Sequence, residues 1–462
     1  MSDPRLRWAV ISAMALVAAG CEAVLEAEPF PLPDTFPAPA PSPEPGPGPG
    51  PDTGGTPLPP TPVFRTSGNP DIDRWRLGFF EKAMAEGRDP AVAEALLANL
   101  RPLDLYLGAD AQVASTDIGG QAEFAKPIWE YLDSAVSSRR RSNGMAVLSE
   151  YDSLFDALER EYRVDRQVLV AIWGMETSYG GYIGDFDAAN TLANMAVEGR
   201  RQGFAERELL ALMKIVEAGH ADRNELTSGW AGAMGQTQFM PSTFLAYAED
   251  FEGDGRKDVW GNPADALASA ANYLAVSGYR YGQPWGIEVR LPPSFDFSFA
   301  DGQDRRVYTW LSLGVRPMDG DTFETNGAEF AELWVPAGAS GPKYLLFKNF
   351  DVFKTYNRAD SYAMAVGVLS DSVLGAGGPQ TPWPRDVELL SVAQIKLLQA
   401  RLNDLGYGAG AVDGIAGRGT KGALRGYQKD RGLVADGFPT RAMLDHVLAT
   451  AQSGSVSLAA PG

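Results

Sequence analysis

The stretch "AIWGMETSYGG", residues 171 to 181, places a carboxylate where the pattern of the chain calls for a hydrophobic side chain. At helical spacing, four residues share one face: Leu169, Ile172, Trp173 and Glu176. Positions i, i+3, i+4 and i+7 form the stripe of a helix that faces a core. The spacing therefore predicts that Glu176 points inward.

The helix that carries Glu176 is predicted to begin after Asp165, whose side chain can cap it, and to end near Gly180 and Gly181. Glu176 then lies in the last turn, where burial beside Trp173 and the negative end of the helix dipole both disfavour a charged carboxylate. Both effects are expected to raise its pKa, and a carboxyl group protonated near neutral pH is a general acid. A structural glutamate satisfied by a salt bridge is the alternative.

Length and charge bound the possible functions. The chain has 462 residues, enough for more than one domain with a sizeable core. Its 40 basic and 59 acidic residues give a net charge of -19. Recognition of phosphates needs clustered Lys and Arg, so this balance argues against binding nucleic acid or anionic lipid through bulk electrostatics.

The N-terminus reads as an export signal. Arg5 and Arg7 precede an apolar run from Trp8 to Ala19, which is too short to span a membrane comfortably. The segment ends "LVAAGC", which resembles a bacterial lipobox and implies lipidation of Cys21. Cys21 is the only cysteine, so a disulfide within the chain is excluded. An ordinary cleaved signal with an incidental cysteine is the alternative.

Composition divides the chain into six segments. The run "PAPAPSPEPGPGPGPD" cannot bury enough apolar surface to order itself and predicts a polyproline-like tether. A second Pro- and Gly-rich stretch, "GAGGPQTPWP", predicts a linker. The predicted boundaries are 1–20 for the signal, 21–70 for the tether, 71–375 for a mainly helical body, 376–385 for the linker, 386–451 for a small helical module and 452–462 for a disordered tail.

Local signals support helices with a small β-containing part. Asp89 is a predicted N-cap before a helical pattern, whereas residues 285–346 are richer in β-branched, aromatic, Gly and Pro residues and predict short strands. The module contains a short internal repeat, seen in the stretches "DGIAGRGTKGAL" and "DGFPTRAML". Each Asp-Gly predicts a turn, and Thr420 and Thr440 can each cap a helix.

A second motif, "SGWAGAMGQTQFMPSTF", covers residues 228 to 244. Its small residues let backbone approach a ligand closely, while Gln236 and Gln238 offer amide donors and acceptors. This combination suits sugars that carry N-acetyl groups. Read as structure only, it is a tightly packed turn before a helix that begins at Pro241.

Three motifs together carry a resemblance: "AIWGMETSYGGYIGDF", "WAGAMGQTQFMPSTF" and "YNRADSYAMAV". From about residue 71 to 375 the chain resembles the lytic murein transglycosylase B family, glycoside hydrolase family 103. The resemblance implies a mainly α, lysozyme-like catalytic domain with one catalytic glutamate, Glu176. It also implies cleavage of the MurNAc-GlcNAc bond of peptidoglycan without water, leaving a 1,6-anhydromuramyl end.

One carboxyl group suffices for such a reaction if the nucleophile belongs to the substrate. Ordinary glycosidases use two carboxylates. Here Glu176 is expected to protonate the leaving glycosidic oxygen and then, as a carboxylate, to take the proton of the muramyl C6 hydroxyl as that oxygen attacks C1. A hydrolytic muramidase and a non-catalytic peptidoglycan-binding lipoprotein are the alternatives.

The resemblance also implies substrate-binding residues. Two arginines in "EGRRQGF" are expected to contact a carboxylate of the substrate. The residues expected to bind substrate are Arg200, Arg201, Ser228, Gln238, Tyr273, Tyr356, Asn357 and Tyr362. The chain departs from the family at two points: the serine before the aromatic of "WAGAMG" is displaced by one position to Ser228, and Ala359 replaces the serine common after "YNR".

The stretch "DFEGDGRKDVWGNPAD" opens like a calcium loop, although its twelfth position is Gly261 in place of the usual acid. No cofactor is required by the expected chemistry, and calcium is expected here only as a structural ion. The candidate ligand positions are Asp250, Glu252, Asp254, Arg256 and Asp265. The alternative is a turn without metal.

The C-terminal segment resembles the peptidoglycan-binding type 1 module, a three-helix domain, and implies wall targeting. A generic helical docking unit is the alternative. Because Glu22 and not Asp follows Cys21, an inner-membrane retention signal is absent, and we expect the periplasmic face of the outer membrane of a Gram-negative bacterium. The expected partners are glycan strands of peptidoglycan, the membrane through a lipid on Cys21, and cell-wall synthesis or division proteins, but no nucleic acid.

Overall fold

The computed structural model of the chain describes residues 62–107, 127–325 and 327–456. The predictions for the signal, most of the tether and Cys21 lie outside the described residues. No helix within the described ranges is long and apolar enough to cross a membrane. The chain divides into two compact units: the first unit comprises Met1–Gly119 with Gly180–Ser269, and the second comprises Gly120–Tyr179 with Ala270–Gly462. Each is described by itself.

Helices dominate the described residues, as the sequence predicts. In chain order the helices are α1 (Pro70–Ala85), α2 (Pro90–Leu97), α3 (Asp104–Leu107), α4 (Ile128–Ala135), α5 (Ser138–Glu150), α6 (Asp152–Tyr162), α7 (Arg166–Thr177), α8 (Ala188–Glu198), α9 (Gln202–Glu217), α10 (Pro241–Tyr247), α11 (Pro263–Val276), α12 (Val307–Ser312), α13 (Lys348–Phe353), α14 (Asp360–Val373), α15 (Val392–Asp404), α16 (Arg418–Asp430) and α17 (Arg441–Val456). The strands are β1 (Phe186–Asp187), β2 (Thr227–Ser228), β3 (Gly286–Arg290), β4 (Arg305–Arg306), β5 (Arg316–Pro317), β6 (Phe330–Trp334) and β7 (Tyr344–Leu346).

The first unit is built around α8 and α9, which pack against each other. Asp89 caps α2 as predicted, because its side chain accepts hydrogen bonds from the backbone N–H groups of Ala91 and Val92 at 2.8 and 3.1 Å. Strands β1 and β2 form an antiparallel pair that precedes the small-residue motif. A core cluster of this unit contains Tyr106, Met195, Ala196, Ala205 and Ala231.

In the second unit, α7 packs against α14 and α5 and is buried from Val168 to Thr177. The predicted start of this helix is confirmed, but the predicted cap is wrong. The Asp165 carboxylate does not bond to the helix N-terminus; it accepts from the Tyr279 hydroxyl at 2.6 Å and from the Gly282 N–H at 2.9 Å. A tertiary contact thus replaces the local cap.

The strands predicted within residues 285–346 are confirmed. They form a five-stranded sheet of order β4-β6-β7-β3-β5, antiparallel throughout. The sheet has its own core around Trp310, whose indole N–H donates to the Ala331 carbonyl at 2.8 Å. It lies in the second unit between the end of α11 and the start of α13.

The C-terminal module consists of α15, α16 and α17, as predicted, and the internal repeat in its sequence is a repeat of contacts. The Gln399 side chain donates to Asp413 at 2.8 Å and accepts from the Gly414 N–H at 2.9 Å. The Gln428 side chain makes the same pair of bonds, at 3.0 and 2.8 Å, to the second Asp-Gly turn, Asp436 and Gly437. Each turn is therefore fixed by one buried glutamine.

Of the two predicted threonine caps, one is confirmed. The Thr440 hydroxyl accepts from the Met443 N–H at 3.2 Å at the start of α17. Thr420 lies inside α16, where its hydroxyl accepts from the Gln399 amide at 3.0 Å. The prediction that Thr420 caps a helix is wrong because the helix begins earlier, after Gly417.

Candidate active site

Glu176 lies in the last turn of α7 and is 6% exposed, which confirms the inward position. The hydroxyl of Tyr362, on the facing helix α14, donates to Glu176 Oε1 at 2.5 Å. Tyr362 is fully buried. A buried carboxyl group needs such a partner, and a phenol hydroxyl bond to it fixes the direction of the oxygen.

Two more aromatic residues belong to this cluster. The rings of Tyr273 and Tyr356 meet edge to face at 5.2 Å between centroids, and the Tyr273 hydroxyl donates to the Thr355 carbonyl at 2.8 Å. Burial raises the pKa of both Tyr356 and Tyr362 well above the ordinary value, and the negative charge of Glu176 acts in the same direction. Both phenols therefore stay neutral at physiological pH.

Asn357 forms the turn that leads into α14. Its side-chain oxygen accepts from the Ala359 N–H at 2.9 Å, and the residue is 2% exposed. Its amide nitrogen has no acceptor among the described residues. Ala359 is the N-cap residue of α14 and provides no side-chain cap, because its methyl group cannot accept a hydrogen bond.

The backbone leaves the helix sharply after the glutamate. Ser178 and Tyr179 have φ values of 54° and 65°, in the left-handed region that costs energy for residues other than glycine. Tyr179 folds back over α7, where a Cβ on Gly174 would lie 2.6 Å from its ring. Its hydroxyl donates to the Arg140 carbonyl at 2.7 Å on α5. Gly174 and Tyr179 support the turn that carries Glu176, a role that the sequence analysis missed.

The glutamines of the second motif lie in the first unit and are occupied in folding its loop. The Gln238 amide donates to the carbonyls of Gly235 at 2.9 Å and Ile183 at 3.3 Å, and its φ is 53°. The Gln236 amide donates to the Trp260 carbonyl at 3.2 Å. Small residues matter here because a Cβ on Gly229 would lie 3.0 Å from Gln238 Oε1. The structure-only interpretation thus accounts for much of this motif.

Ser228 and the paired arginines also lie in the first unit. Ser228 is fully buried in β2, and its hydroxyl has no partner among the described residues. Arg200, 61% exposed, pairs with Glu198 at the turn between α8 and α9. The Arg201 guanidinium lies over the Phe204 ring at 5.3 Å. The structure therefore places Glu176 and the tyrosines in the second unit, whereas Gln238, Ser228, Arg200 and Arg201 lie in the first.

In the predicted calcium loop, the acidic side chains accept hydrogen bonds from backbone N–H groups. Both oxygens of Asp265 accept, from the N–H groups of Phe251 and Asp258, each at 2.8 Å. Asp250 likewise accepts from three successive N–H groups within its own turn, at 2.7, 3.1 and 2.8 Å. The three donors to Asp250 are Gly253, Asp254 and Gly255.

The remaining candidate ligands are also engaged. Glu252 accepts from the Asn262 amide at 2.9 Å, Asp254 accepts from the Arg256 N–H at 2.8 Å, and the Arg256 guanidinium pairs with Glu225 at 2.9 Å. Among the described residues, no three acidic, His or Cys side chains converge as a metal-binding group. The side chains as they stand do not fit a calcium cage, and the prediction of calcium stays a prediction.

A buried glutamate bonded to a buried tyrosine, in a mainly helical chain with a C-terminal three-helix module, fits the class of glycan-cleaving enzymes with a lysozyme-like fold. The family model for the transglycosylase SLT domain matches residues 71–371, and the peptidoglycan binding domain model matches residues 391–447. The chain therefore belongs to the lytic murein transglycosylases of the SLT family.

Relatives agree with this assignment. Membrane-bound lytic murein transglycosylase B of Escherichia coli K12 is 26% identical over 294 residues, which are 62% of this chain and 79% of that protein. SltB3 from Pseudomonas aeruginosa, solved in complex with NAG-anhNAM-pentapeptide, is 41% identical with a TM-score of 0.75, covering 81% of this chain and 99% of its own. Escherichia coli Slt35, solved in complex with calcium, is 25% identical with a TM-score of 0.54, covering 66% and 93%.

Proposed function

We propose that this lytic transglycosylase cleaves the β-1,4 bond between MurNAc and GlcNAc of peptidoglycan without water and leaves 1,6-anhydromuramyl ends. The observation that carries the proposal is the pair formed by Glu176 and Tyr362: one buried carboxyl group whose oxygen is fixed at 2.5 Å by a neutral phenol. The negative charge of Glu176 in its carboxylate state also helps to raise the pKa of Tyr356. One carboxyl group then performs both proton transfers.

In the first step, protonated Glu176 donates its proton to the glycosidic oxygen as the bond between that oxygen and muramyl C1 breaks. In the second step, the resulting carboxylate takes the proton of the muramyl C6 hydroxyl as O6 forms a bond to C1. Glu176 is protonated again at the end, and no water is consumed. Tyr362 can donate to Oε1 in both states, because the carboxylic acid keeps one oxygen as an acceptor.

The surrounding residues suit an amino sugar. The unsatisfied Asn357 amide nitrogen is a donor for an acetamido or carboxylate oxygen of the substrate, and the rings of Tyr273 and Tyr356 offer an apolar surface beside it. We propose that Ser228, Gln238, Arg200 and Arg201 also bind substrate, as in the family. Two SltB3 structures that contain muropeptides, NAG-anhNAM-pentapeptide and NAG-NAM-pentapeptide, support this class of ligand.

We propose the predicted domain organisation for the mature protein: a lipid on Cys21, a Pro-rich tether over residues 21–70, a catalytic domain over 71–375 and a wall-binding module over 386–451. The match of the module to a peptidoglycan binding family and the name of the membrane-bound relative support this arrangement. We propose that the enzyme works at the periplasmic face of the outer membrane, on murein and together with proteins of wall synthesis or division.

The proposed reaction contains no step through a metal. A calcium ion, as named with the Slt35 relative, would have a structural role only, and it would have to displace the backbone N–H groups that hold the acids of residues 250–265. Mass spectrometry of digested murein tests the function: anhydro ends are expected, whereas reducing ends identify a hydrolytic muramidase. If the Glu176→Gln variant digests murein as fast as the wild type, the glutamate does not have the proposed role. If the wild-type protein itself is inactive, the result favours a wall-binding lipoprotein.

A further inference from the structure

The linker between the catalytic part and the module is fixed to the second unit along its length. The backbone N–H groups of Gln380 and Thr381 donate to the two oxygens of Glu288, on β3, at 2.6 and 2.8 Å. At its end, Arg385 makes a bidentate pair with Asp133, on α4, at 2.7 and 2.9 Å. A carboxylate that accepts two adjacent N–H groups and an arginine fork both fix orientation as well as distance.

Aromatic packing adds to these polar contacts. Trp383 packs against the buried Trp129 of α4 with 5.8 Å between ring centroids. Gln380 also donates through its side chain to Asp319 at 2.7 Å. The Pro- and Gly-rich composition predicts a free linker, but the linker is held by contacts from Gln380 to Arg385.

One face of α16 lies against the region that surrounds the five-stranded sheet. Arg418, Lys421 and Arg425 are spaced i, i+3 and i+7 and so share this face. Arg425 donates to the Ala300 carbonyl at 2.8 Å. The Arg418 guanidinium lies so close to Gly302 that a Cβ there would be 2.7 Å away. Burial lowers the pKa of Lys421, and the negative charge of Asp360, at the start of α14, opposes this shift.

The second Asp-Gly turn of the module makes a further contact. Asp436 Oδ1 accepts from Gln428 within the module at 3.0 Å, whereas Oδ2 accepts from the backbone N–H of Ala339, outside the module, at 2.9 Å. Gly338 has a φ of 66°, and a Cβ there would lie 2.6 Å from Asp436 Oδ2. The close approach therefore needs a glycine in the left-handed region.

We infer that the wall-binding module is a fixed part of the second unit and packs on the region around the five-stranded sheet. We call the contact surface formed by that region and the linker the seat of the module, and we infer that forming it is a function of the sheet. The inference rests on the proposed function of the module as a murein binder. Because α7 and its glutamate belong to the same unit, a glycan strand held by the module has a defined direction relative to Glu176. A freely tethered module would only raise local concentration.

Spin-label distance measurement tests the seat in the full chain with Cys21→Ser. The two labels are attached to cysteines introduced by Met145→Cys and Gly422→Cys. Met145 is 51% exposed on α5, and a Cβ at Gly422 on α16 would meet nothing within 4 Å. A single narrow distance distribution is expected. The double variant Arg385→Ala with Arg425→Ala is expected to broaden it.

The matched control is the double variant Arg401→Ala with Arg441→Ala. Its arginines pair with Asp404 and Asp445 inside the module, each at 3.0 Å, so the narrow distribution is expected to remain. A broad distribution in the chain that keeps the seat residues would overturn the inference. A distribution that stays narrow in the Arg385→Ala, Arg425→Ala variant would also overturn it, because these contacts would then not hold the module.

Activity provides the second readout. Loosening the seat is expected to lower the digestion of insoluble murein about tenfold, which is less than the full gain from joining two binding sites because the loosened module is still tethered and still raises the local concentration. Cleavage of short soluble muropeptides is expected to stay unchanged. Equal digestion of insoluble murein by the loosened and control variants would refute the functional part. The spin-label result does not depend on the chemistry at Glu176, so failure of the proposed reaction and failure of the seat are distinguishable.

Discussion

Replacing Tyr362 by Phe removes one hydroxyl group from the core of the second unit and leaves the ring in place. That hydroxyl donates to Glu176 Oε1 at 2.5 Å, and Tyr362 is fully buried, so water does not replace it. A hydrogen bond to a charged group contributes roughly 1.5–3 kcal/mol, and each 1.4 kcal/mol in a barrier is about tenfold in rate. The turnover number is therefore expected to fall roughly 10- to 150-fold.

The family resemblance implies that Tyr362 binds substrate, but a fully buried hydroxyl bonded to Glu176 acts through the glutamate as a positioning residue. The loss is therefore expected in kcat, with KM for a soluble muropeptide changed little. Steady-state kinetics on that substrate measures both constants. Tyr427→Phe is the matched control, because Tyr427 is also fully buried but bonds to His446 at 2.7 Å inside the module. A Tyr362→Phe enzyme that melts cooperatively and retains the wild-type kcat would refute the reasoning.

Four further predictions concern stability. Burial raises the pKa of Asp371 to about 6, although the hydrogen bond from Trp285 acts in the opposite direction. Because the folded protein binds this proton more tightly than the unfolded chain does, protonated Asp371 contributes fully to the free energy of unfolding below about pH 4. This contribution is lost as pH rises through 6. Asp371→Asn should flatten the difference between unfolding free energies at pH 4 and pH 7, on the order of 3 kcal/mol; an unchanged slope would contradict this. Gly174→Ala should destabilise the protein by roughly 1–3 kcal/mol in a denaturant titration, because its Cβ would lie 2.6 Å from the ring of Tyr179. Gly422→Ala, with open space around it, should stabilise by about 0.5–1 kcal/mol, and equal signs for the two variants would count against the packing argument. Because N–H groups already hold the acids of residues 250–265, millimolar calcium or EDTA should leave Tm unchanged within about 1 °C, and a rise of several degrees with calcium would show a cation site.

Features with local causes could be predicted from the sequence. The inward position of Glu176 follows from helical spacing, and the caps at Asp89 and Thr440 follow from contacts two or three residues away. Predictions failed where the partner is distant in the chain. Asp165 bonds to Tyr279, 114 residues away, and no local pattern specifies that contact.

The candidate site shows the same limit. Helical spacing identifies Glu176 and the family resemblance identifies Tyr362, but their bond joins residues 186 positions apart and depends on the packing of α7 against α14. The seat of the module is another example, because a linker rich in Pro and Gly is fixed by Glu288 and Asp133, whose sequence neighbours give no sign of this role. Composition predicts how a segment behaves alone, and not what it packs against.

The chemical nature of the ends that the enzyme leaves on murein shows whether the muramyl C6 hydroxyl or water attacks C1. Purified wild-type protein and Glu176→Gln would digest the same sacculi in water enriched in ¹⁸O, and mass spectrometry would read the released muropeptides. We expect 1,6-anhydromuramyl ends without ¹⁸O from the wild type and no such ends from the variant. Reducing ends that carry ¹⁸O would mean that water is the nucleophile, and anhydro ends from Glu176→Gln at the wild-type rate would mean that another residue transfers the protons.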